Sequence, residues 1–212
     1  MSAFFDNHVF TDELEAKLVR LIDQPEVLPT FTVLYGEPGI GKTTFAKWFA
    51  EEHSTNSRYF AINESGLDKN VWEDIASTFR SAAFPLQDQE KKAITKLVII
   101  DEFHNASKNA QDRFKTLYDS LEATPDNDER IIFIMNTDSR VANKQIHDLL
   151  SPAMYSRMYR LSFDVPERCV DEIVEKSKRL YPDLSESQIK ALLPDHRQLQ
   201  RLQRFAVLDA AK

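Results

Sequence analysis

Cysteine is nearly missing from this chain of 212 residues. The single cysteine, Cys169, excludes an internal disulfide framework and any zinc module built from cysteines alone. Intracellular proteins commonly keep few cysteines and no disulfides. We therefore expect a reducing, cytoplasmic setting for the protein.

Long apolar runs and an excess of positive charge are also missing. No run approaches the roughly 20 apolar residues that span a bilayer, and no basic-then-apolar leader opens the chain, so we expect no membrane partner. Lys and Arg number 27 against 34 Asp and Glu, a net charge of -7. This balance argues against a surface that binds nucleic acid everywhere, but it allows a local basic strip.

Glycine is scarce too, and three of the four glycines fall at Gly36, Gly39 and Gly41. An apolar run at residues 31–35 precedes them and predicts a buried strand. Residues 43–50 follow and predict the start of a helix. The segment therefore has the pattern G-x-x-x-x-G-K-[ST] in the strand–loop–helix context that gives the pattern its meaning.

This pattern predicts binding of a nucleoside triphosphate. Backbone N–H groups curl around the phosphates where residues lack a Cβ, and the helix N terminus adds partial positive charge. Lys42 supplies a point charge for the β- and γ-phosphates, and the Thr43 hydroxyl can ligate Mg²⁺. No guanine-reading Asn-Lys-x-Asp pattern occurs, which favours ATP. The predicted nucleotide-binding residues here are Gly36, Glu37, Pro38, Gly39, Ile40, Gly41, Lys42, Thr43 and Thr44.

The remaining apolar patterns predict an α/β layer followed by helices. Predicted strands lie at residues 31–35, 59–62, 97–100, 131–135 and 160–163; predicted helices follow a Thr11 N-cap and cover residues 71–84 and 107–122, and residues 87–92 are predicted as a charged loop. Strands alternating with helices indicate a doubly wound parallel sheet of five strands. Pro166 marks a break, and the helical stripes after it predict a small lid. We expect an α/β nucleotide-binding domain over residues 1–165 and an all-helical lid over residues 166–212.

Two acidic residues, Asp101 and Glu102, follow the aliphatic strand predicted at residues 97–100. Ligands bind at the carboxyl ends of the strands in open α/β sheets. An aspartate there can hold Mg²⁺ through water, and the adjacent glutamate can accept a proton from the attacking water. The alternative is a solvated acidic loop, and the phosphate-binding pattern upstream favours the functional interpretation.

Two more polar residues lie near this predicted strand edge. Asn136 closes the next strand, where its amide can reach the γ-phosphate or orient the attacking water; the alternative is an ordinary Asx turn. Function is favoured because this strand is expected beside the one that ends in Asp101. For His104 we favour a partly exposed loop histidine over a metal or catalytic role.

Later arginines are candidates for contacts to phosphate. Arg157 precedes the last predicted strand and can neutralise charge that develops on the γ-phosphate of a neighbouring subunit, with Arg160 as the rival candidate. Arg197 begins the last helix and can reach back from the lid to the nucleotide. For each the alternative is an ordinary surface arginine.

Lys108, Gln111 and Lys115 share one side of their predicted helix. They can contact the phosphates of a nucleic-acid backbone. The alternative, a solvated face interspersed with Asp112 and Asp119, is favoured on charge alone.

These residues together resemble the AAA+ ATPases. Residues 36–44 look like the Walker A motif, residues 97–102 like Walker B, and residues 132–137 like the sensor 1 strand, with Asn136 at the sensing position. Residues 195–197 are similar to the sensor 2 segment of the lid. The resemblance implies a P-loop AAA+ module that uses ATP and Mg²⁺.

Within that family the chain resembles the clamp-loader ATPase subunits, which include replication factor C small subunits and their phage counterparts. Ser156 and Arg157 resemble the Ser-Arg-Cys motif, whose arginine acts in trans on the ATP of the adjacent subunit. Residues 60–65 resemble the strand-end Asn-Ala-Ser signature. Residues 110–122 resemble the helix after Walker B, which faces DNA in clamp loaders. The resemblance runs from about residue 30 to residue 205.

The chain departs from the clamp-loader pattern at several places. Met158 replaces the usual cysteine, Phe103 and His104 replace the commoner Ala-Asp, and the N-terminal Tyr-Arg-Pro segment is missing. The resemblance stops at the lid, whereas clamp loaders continue into a helical collar. We therefore expect assembly to rest on the AAA+ modules, on a partner, or on ATP and DNA.

The leading hypothesis is an ATP-hydrolysing clamp-loader-like subunit that acts in DNA replication. The resemblance implies catalytic roles for Glu102, Asn136, Arg157 and Lys42, and Mg²⁺ ligation through Thr43 and Asp101. Its implied partners are DNA, a sliding clamp or helicase, and like or unlike ATPase subunits, in the host cytoplasm if the gene is carried by a phage. One alternative is a helicase loader or a transposition-type DNA-dependent ATPase. The other is an ATP-binding scaffold or regulatory module with little turnover, against which the presence of Glu102 argues.

Overall fold

The computed structural model describes residues 4–81, 92–137 and 146–210, and among them five strands form one sheet. The strands are β1 (Phe31–Gly36), β2 (Ser54–Ala61), β3 (Ile94–Asp101), β4 (Glu129–Asn136) and β5 (Tyr159–Ser162). Their order is β2-β3-β4-β1-β5, and every neighbouring pair is parallel. The predicted five-stranded parallel sheet is therefore confirmed.

Helices cover both faces of the sheet. They are α1 (Asp12–Asp23), α2 (Lys42–His53), α3 (Lys69–Arg80), α4 (Lys108–Gln111), α5 (Arg113–Glu122), α6 (Ile146–Leu149), α7 (Pro152–Tyr155), α8 (Val170–Leu180), α9 (Glu186–Leu192) and α10 (His196–Ala210). One apolar cluster joins α1 and α2 to the sheet through Leu18, Phe45 and Ile132. A second cluster joins α3 and α5 to the other face and contains Ile75 and Phe114. The sheet is thus wound on both sides, as the sequence predicts.

The strands β3 and β4 are buried on both faces, which explains their almost continuous aliphatic sequences. The edge strand β2 is different, because it begins at Ser54, five residues before the predicted start. Its polar residues 56–58 are exposed, which an edge strand allows. Apolar patterning alone therefore identified only its last part.

Helix boundaries also depart from the prediction. The segment predicted as one helix over residues 107–122 is interrupted at Asp112, whose carboxylate accepts a hydrogen bond from the Ser151 hydroxyl at 2.6 Å. Helix α3 begins at Lys69, where the Asp68 carboxylate caps it through the Val71 N–H at 2.8 Å. The predicted Thr11 cap of α1 is confirmed by a 3.2 Å bond from the Leu14 N–H. The predicted end of α3 and most of the predicted loop over residues 87–92 lie outside the described residues.

After β5, the chain turns at residues 167–169 and continues into α8, α9 and α10, which share a separate apolar cluster that includes Val174, Ile189 and Leu199. A reciprocal capping box of Ser185 and Gln188 fixes the start of α9. These three helices form the region called the lid. The division between the lid and the α/β part at residue 165 stays a prediction. No helix in the described part of the chain combines the length and apolar character needed to cross a membrane.

Candidate nucleotide-binding site

The loop between β1 and α2 is a concave backbone segment that depends on glycine. Gly39 and Gly41 have φ angles of +86° and +103°, in the left-handed region that residues with a Cβ avoid. A Cβ on Gly39 would lie 2.3 Å from the Asp195 carboxylate oxygen of the lid. Gly41 is the N-cap of α2 and has no side chain to cap it, so the N–H groups of the first turn are available to an anion.

Lys42 lies beneath this loop and is almost fully buried. Its ammonium donates to the carbonyl oxygens of Gly36 and Glu37, at 2.8 and 2.7 Å. Burial lowers the pKa of Lys42 to about 8, while the carboxylates of Asp164, Asp101 and then Glu102 act in the opposite direction. The lysine charge is therefore held at the loop by backbone contacts and faces acidic groups.

Two oxygen donors meet beside the loop. The Thr43 hydroxyl donates to an Asp101 carboxylate oxygen at 2.9 Å, and the Tyr59 hydroxyl donates to the same oxygen at 2.9 Å. Burial, together with the bond to Asp101, raises the pKa of Tyr59 to about 12. A hydroxyl and a carboxylate are the ligand chemistry that Mg²⁺ takes beside phosphates, so these residues fit the ion that the sequence predicts.

Glu102, Asn136 and His104 form a connected group at the ends of β3 and β4. The Asn136 side-chain amide donates to both Glu102 carboxylate oxygens, at 3.1 and 3.0 Å. His104 Nε2 lies 3.2 Å from Glu102 Oε2, and His104 Nδ1 accepts the backbone N–H of Asn136 at 3.3 Å. The strand that ends in Asn136 lies beside the strand that ends in Asp101, as the sequence predicts, and His104 contacts both Glu102 and Asn136.

Lid residues close one side of the loop. A cavity of about 60 Å³ is lined by His8 and by Gly39, Gly41, Thr44 and Arg197, among others. The exposed Arg197 is near enough that its charge further lowers the pKa of Lys42. Arg197 of the lid therefore lies beside the nucleotide loop.

Asp164 is a site residue that sequence reasoning missed. Its carboxylate accepts the Glu37 N–H at 3.0 Å, and burial raises its pKa, while that hydrogen bond and the Lys42 charge lower it. An acid one residue past the predicted last strand was the available signal. Tyr59 was missed as well. The sequence did not predict that its strand pairs with the strand that carries Asp101.

Arg157 and Arg160 are placed away from this loop. Arg157 donates to the Asp119 carboxylate at 3.2 Å and to the Ala153 carbonyl at 3.1 Å. Arg160 lies over the Tyr155 ring, with its guanidinium carbon 4.1 Å from the ring centre. In these contacts neither arginine touches the nucleotide loop of its own chain.

The three residues considered for nucleic-acid contacts do not share a surface. Lys108 and Lys115 are exposed, but Gln111 is fully buried. Its amide donates to the carbonyls of Ala106 and Leu149 at 3.0 and 2.9 Å and accepts the Ser151 N–H at 2.7 Å. The prediction that Gln111 projects from the helix surface is therefore wrong; this side chain joins α4 to the segment that leads into α7.

The strand order and this site define a P-loop protein with the AAA+ fold. Residues 32–165 match the model of the ATPase family associated with various cellular activities (AAA), and the chain belongs to that family. A search of curated proteins finds no match to the sequence.

One solved structure supports this fold, and a second is reported for its similarity alone. The AAA domain of FIGL-1 in complex with ADP is 18% identical with a TM-score of 0.55, and the match covers 88% of this chain and 65% of that chain. The RuvB Holliday junction branch migration motor of Thermotoga maritima is 20% identical with a TM-score of 0.46, over 81% of this chain and 51% of that one. The chain therefore spans about half to two thirds of the length of these structures.

Proposed function

We propose that this protein is a Mg²⁺-dependent ATPase and that it works on DNA as a clamp-loader-like subunit. The observation that carries the ATPase part is the convergence of Lys42, Thr43, Asp101, Glu102 and Asn136 at one end of the three adjacent strands β1, β3 and β4. These residues supply groups that can bind the phosphates, hold Mg²⁺ and activate the attacking water.

Each residue has a defined task in this proposal. The loop N–H groups and Lys42 bind the phosphates, and Thr43 and Asp101 hold Mg²⁺, which when bound neutralises charge on the phosphate oxygens. Glu102 takes a proton from the water that attacks the γ-phosphorus. The bond from that phosphorus to the β–γ bridging oxygen breaks, which gives ADP and phosphate. Asn136 orients the water or the γ-phosphate.

Two residues connect the reaction to motion and assembly. Arg197 joins the lid to the phosphates, so that lid position follows nucleotide state. Arg157 acts on the ATP of a neighbouring subunit. To do so, its guanidinium must leave the exposed Asp119 carboxylate and contact a phosphate of that ATP instead. Such an exchange makes hydrolysis depend on assembly.

The DNA-linked part of the proposal rests on the clamp-loader resemblance and on one feature of the surface. Lys108 and Lys115 are exposed near the start of the segment that follows Walker B, in a chain with net charge -7. Isolated positive side chains on an acidic protein are suited to phosphate contacts once several subunits place them side by side. The protein loaded would be a sliding clamp or a helicase.

Steady-state ATP hydrolysis with and without primed DNA tests this part. We expect primed DNA to raise the turnover number severalfold, and substitution of both Lys108 and Lys115 by Ala to reduce that stimulation while the DNA-free rate stays near that of the parent. A rate that no nucleic acid changes would contradict the link to DNA and leave the ATPase proposal standing.

A further inference from the structure

We propose that His104 is a positioning residue that directs the Glu102 carboxylate during hydrolysis. This inference rests on the proposed ATPase function and adds a residue to its machinery. The argument starts from hydrogen-bond directions. Because His104 Nδ1 accepts the Asn136 backbone N–H, the proton of the neutral ring lies on Nε2. Nε2 is 3.2 Å from Glu102 Oε2, so the ring donates to the carboxylate.

Glu102 needs such a partner because few contacts from the described residues restrain its side chain. Its backbone is in the left-handed region, with φ of +55°, and its side chain is 41% exposed. Among the described residues, the other side-chain donor to its carboxylate is the Asn136 amide nitrogen. Its 3.1 and 3.0 Å contacts to the two oxygens represent one shared N–H, because the two hydrogens of an amide diverge too widely to point at both oxygens of one carboxylate. That same amide is the group proposed to orient the attacking water or the γ-phosphate, and a turn of the amide toward either one bends or breaks the shared bond. His104 then keeps the carboxylate directed.

The backbone around His104 is anchored on both sides. Phe103 is fully buried and packs against Phe133, with ring centres 4.5 Å apart. On the other side, the Asn105 amide donates to the Ile62 carbonyl at 3.0 Å. The short helical turn Phe103–Asn105 therefore carries the imidazole on a fixed support, which is what a positioning role requires.

Two substitutions separate the two halves of the contact. His104→Asn places a carbonyl near the Nδ1 position, where it can accept the Asn136 N–H, but it removes the donor to Glu102. His104→Gln places an amide near the Nε2 position and retains that donor. We expect His104→Asn to lower kcat about tenfold with the KM for ATP within about twofold, and His104→Gln to recover turnover to within about threefold of the parent. The exposed His147→Asn is the matched control and should behave as the parent.

A double-mutant comparison shows whether the effect passes through Glu102. In a Glu102→Gln background, His104→Asn should change the residual rate by less than about twofold, because the group it positions is already gone. Equal turnover of His104→Asn and the parent would overturn the inference alone, and so would a full tenfold effect in the Glu102→Gln background. No ATP turnover in the parent would overturn the proposed function and this inference together. Equilibrium ATP binding, measured for every variant, identifies those that remain folded.

Discussion

Gly39 shows how closely single residues of the nucleotide loop are fitted to the lid. The Cα of this glycine lies against Asp195, whose carboxylate caps α10 by accepting the Arg197 N–H at 3.0 Å. A side chain on Gly39 would therefore disturb both the loop backbone and the start of the last helix. This contact joins the nucleotide loop directly to the lid.

Replacing Gly39 by Ala should weaken ATP binding by at least about tenfold and cost about 2 kcal/mol of stability, because φ is +86° and the new Cβ would meet Asp195. Gly66→Ala is the control. Gly66 has φ of +95°, but its Cβ would be 3.5 Å from its nearest neighbour, the Asn105 carbonyl. The control should lose stability while it keeps parental ATP affinity. Calorimetric titration with ATP and urea unfolding measure the two quantities, and equal ATP affinity of both variants would contradict the fit described here.

His196 gives the lid a dependence on pH. Burial, together with the smaller effect of the nearby His8, lowers the pKa of His196 from 6.5 to about 4, and Asp195 opposes the shift. The unfolded chain therefore takes up a proton at a higher pH than the folded chain. The stability due to neutral His196 is complete above about pH 6.5 and is lost as pH falls toward 4.

Between pH 7 and pH 5 this residue should account for a loss on the order of 2 kcal/mol in the free energy of unfolding. His196→Gln cannot take up that proton and should show a correspondingly smaller loss over the same interval. Urea unfolding of both proteins at the two pH values checks this. Identical pH dependence of the two proteins would show that His196 does not carry the effect.

At the scale of elements, the buried strands were predictable and the edge was not. The strands β3 and β4 have helices on both faces, so their residues are uniformly apolar. The strand β2 has one partner and an open side, so its polar first half gives no such signal. Strand pairing also explains the site. Glu102 and Asn136 are 34 residues apart and meet because β3 and β4 are adjacent and parallel.

The hydrogen-bond contacts between side chains could not be predicted from the spacing of residues along the chain. Helical spacing places Gln111 on one side with Lys108 and Lys115, but the interruption at Asp112 ends α4 and leaves Gln111 buried against the segment before α7. The role of His104 was likewise hidden, since it depends on a backbone N–H that another strand supplies. Motif spacing predicted which groups react, and that stays a prediction; the side chains that contact those groups were visible only in the folded structure.

Gln111→Ala should lower the free energy of unfolding by about 3 kcal/mol. The change leaves the carbonyls of Ala106 and Leu149 and the Ser151 N–H without their partner. Lys115→Ala, on the exposed face of α5, should change stability by less than about 0.5 kcal/mol. Urea unfolding of the two variants compares them, and similar losses would contradict a structural role for Gln111.

At the scale of the whole molecule, the lid is tied to the first helix by charge. The Lys176 ammonium of α8 lies 2.6 Å from Asp12 and 3.1 Å from Glu15, both on α1, and 3.4 Å from Glu172 on its own helix. The lid therefore contacts both the nucleotide loop and the N-terminal helix. A neighbouring subunit that touches any of them can influence the ATP site.

Sharing of Arg157 between subunits is open to a mixing experiment. Arg157→Ala removes the arginine but keeps the ATP site, and Lys42→Ala does the reverse. Each variant alone should hydrolyse ATP at less than about a tenth of the parental rate. Mixed in equal amounts, they should regain roughly a quarter of it, because about one interface in four then joins an intact site to an intact arginine. A mixture no more active than its components would contradict action in trans within a homo-oligomer.

Binding and single turnover of radiolabelled ATP, measured on the parent, Lys42→Ala and Glu102→Gln, test the central claim most directly. The parent should bind ATP with Mg²⁺ and convert it to ADP. Glu102→Gln should bind with an affinity within about threefold of the parent and convert ATP at least about a hundredfold more slowly, whereas Lys42→Ala should not bind measurably. Parental conversion by Glu102→Gln, or equal binding by Lys42→Ala, would contradict the account of how this protein uses ATP.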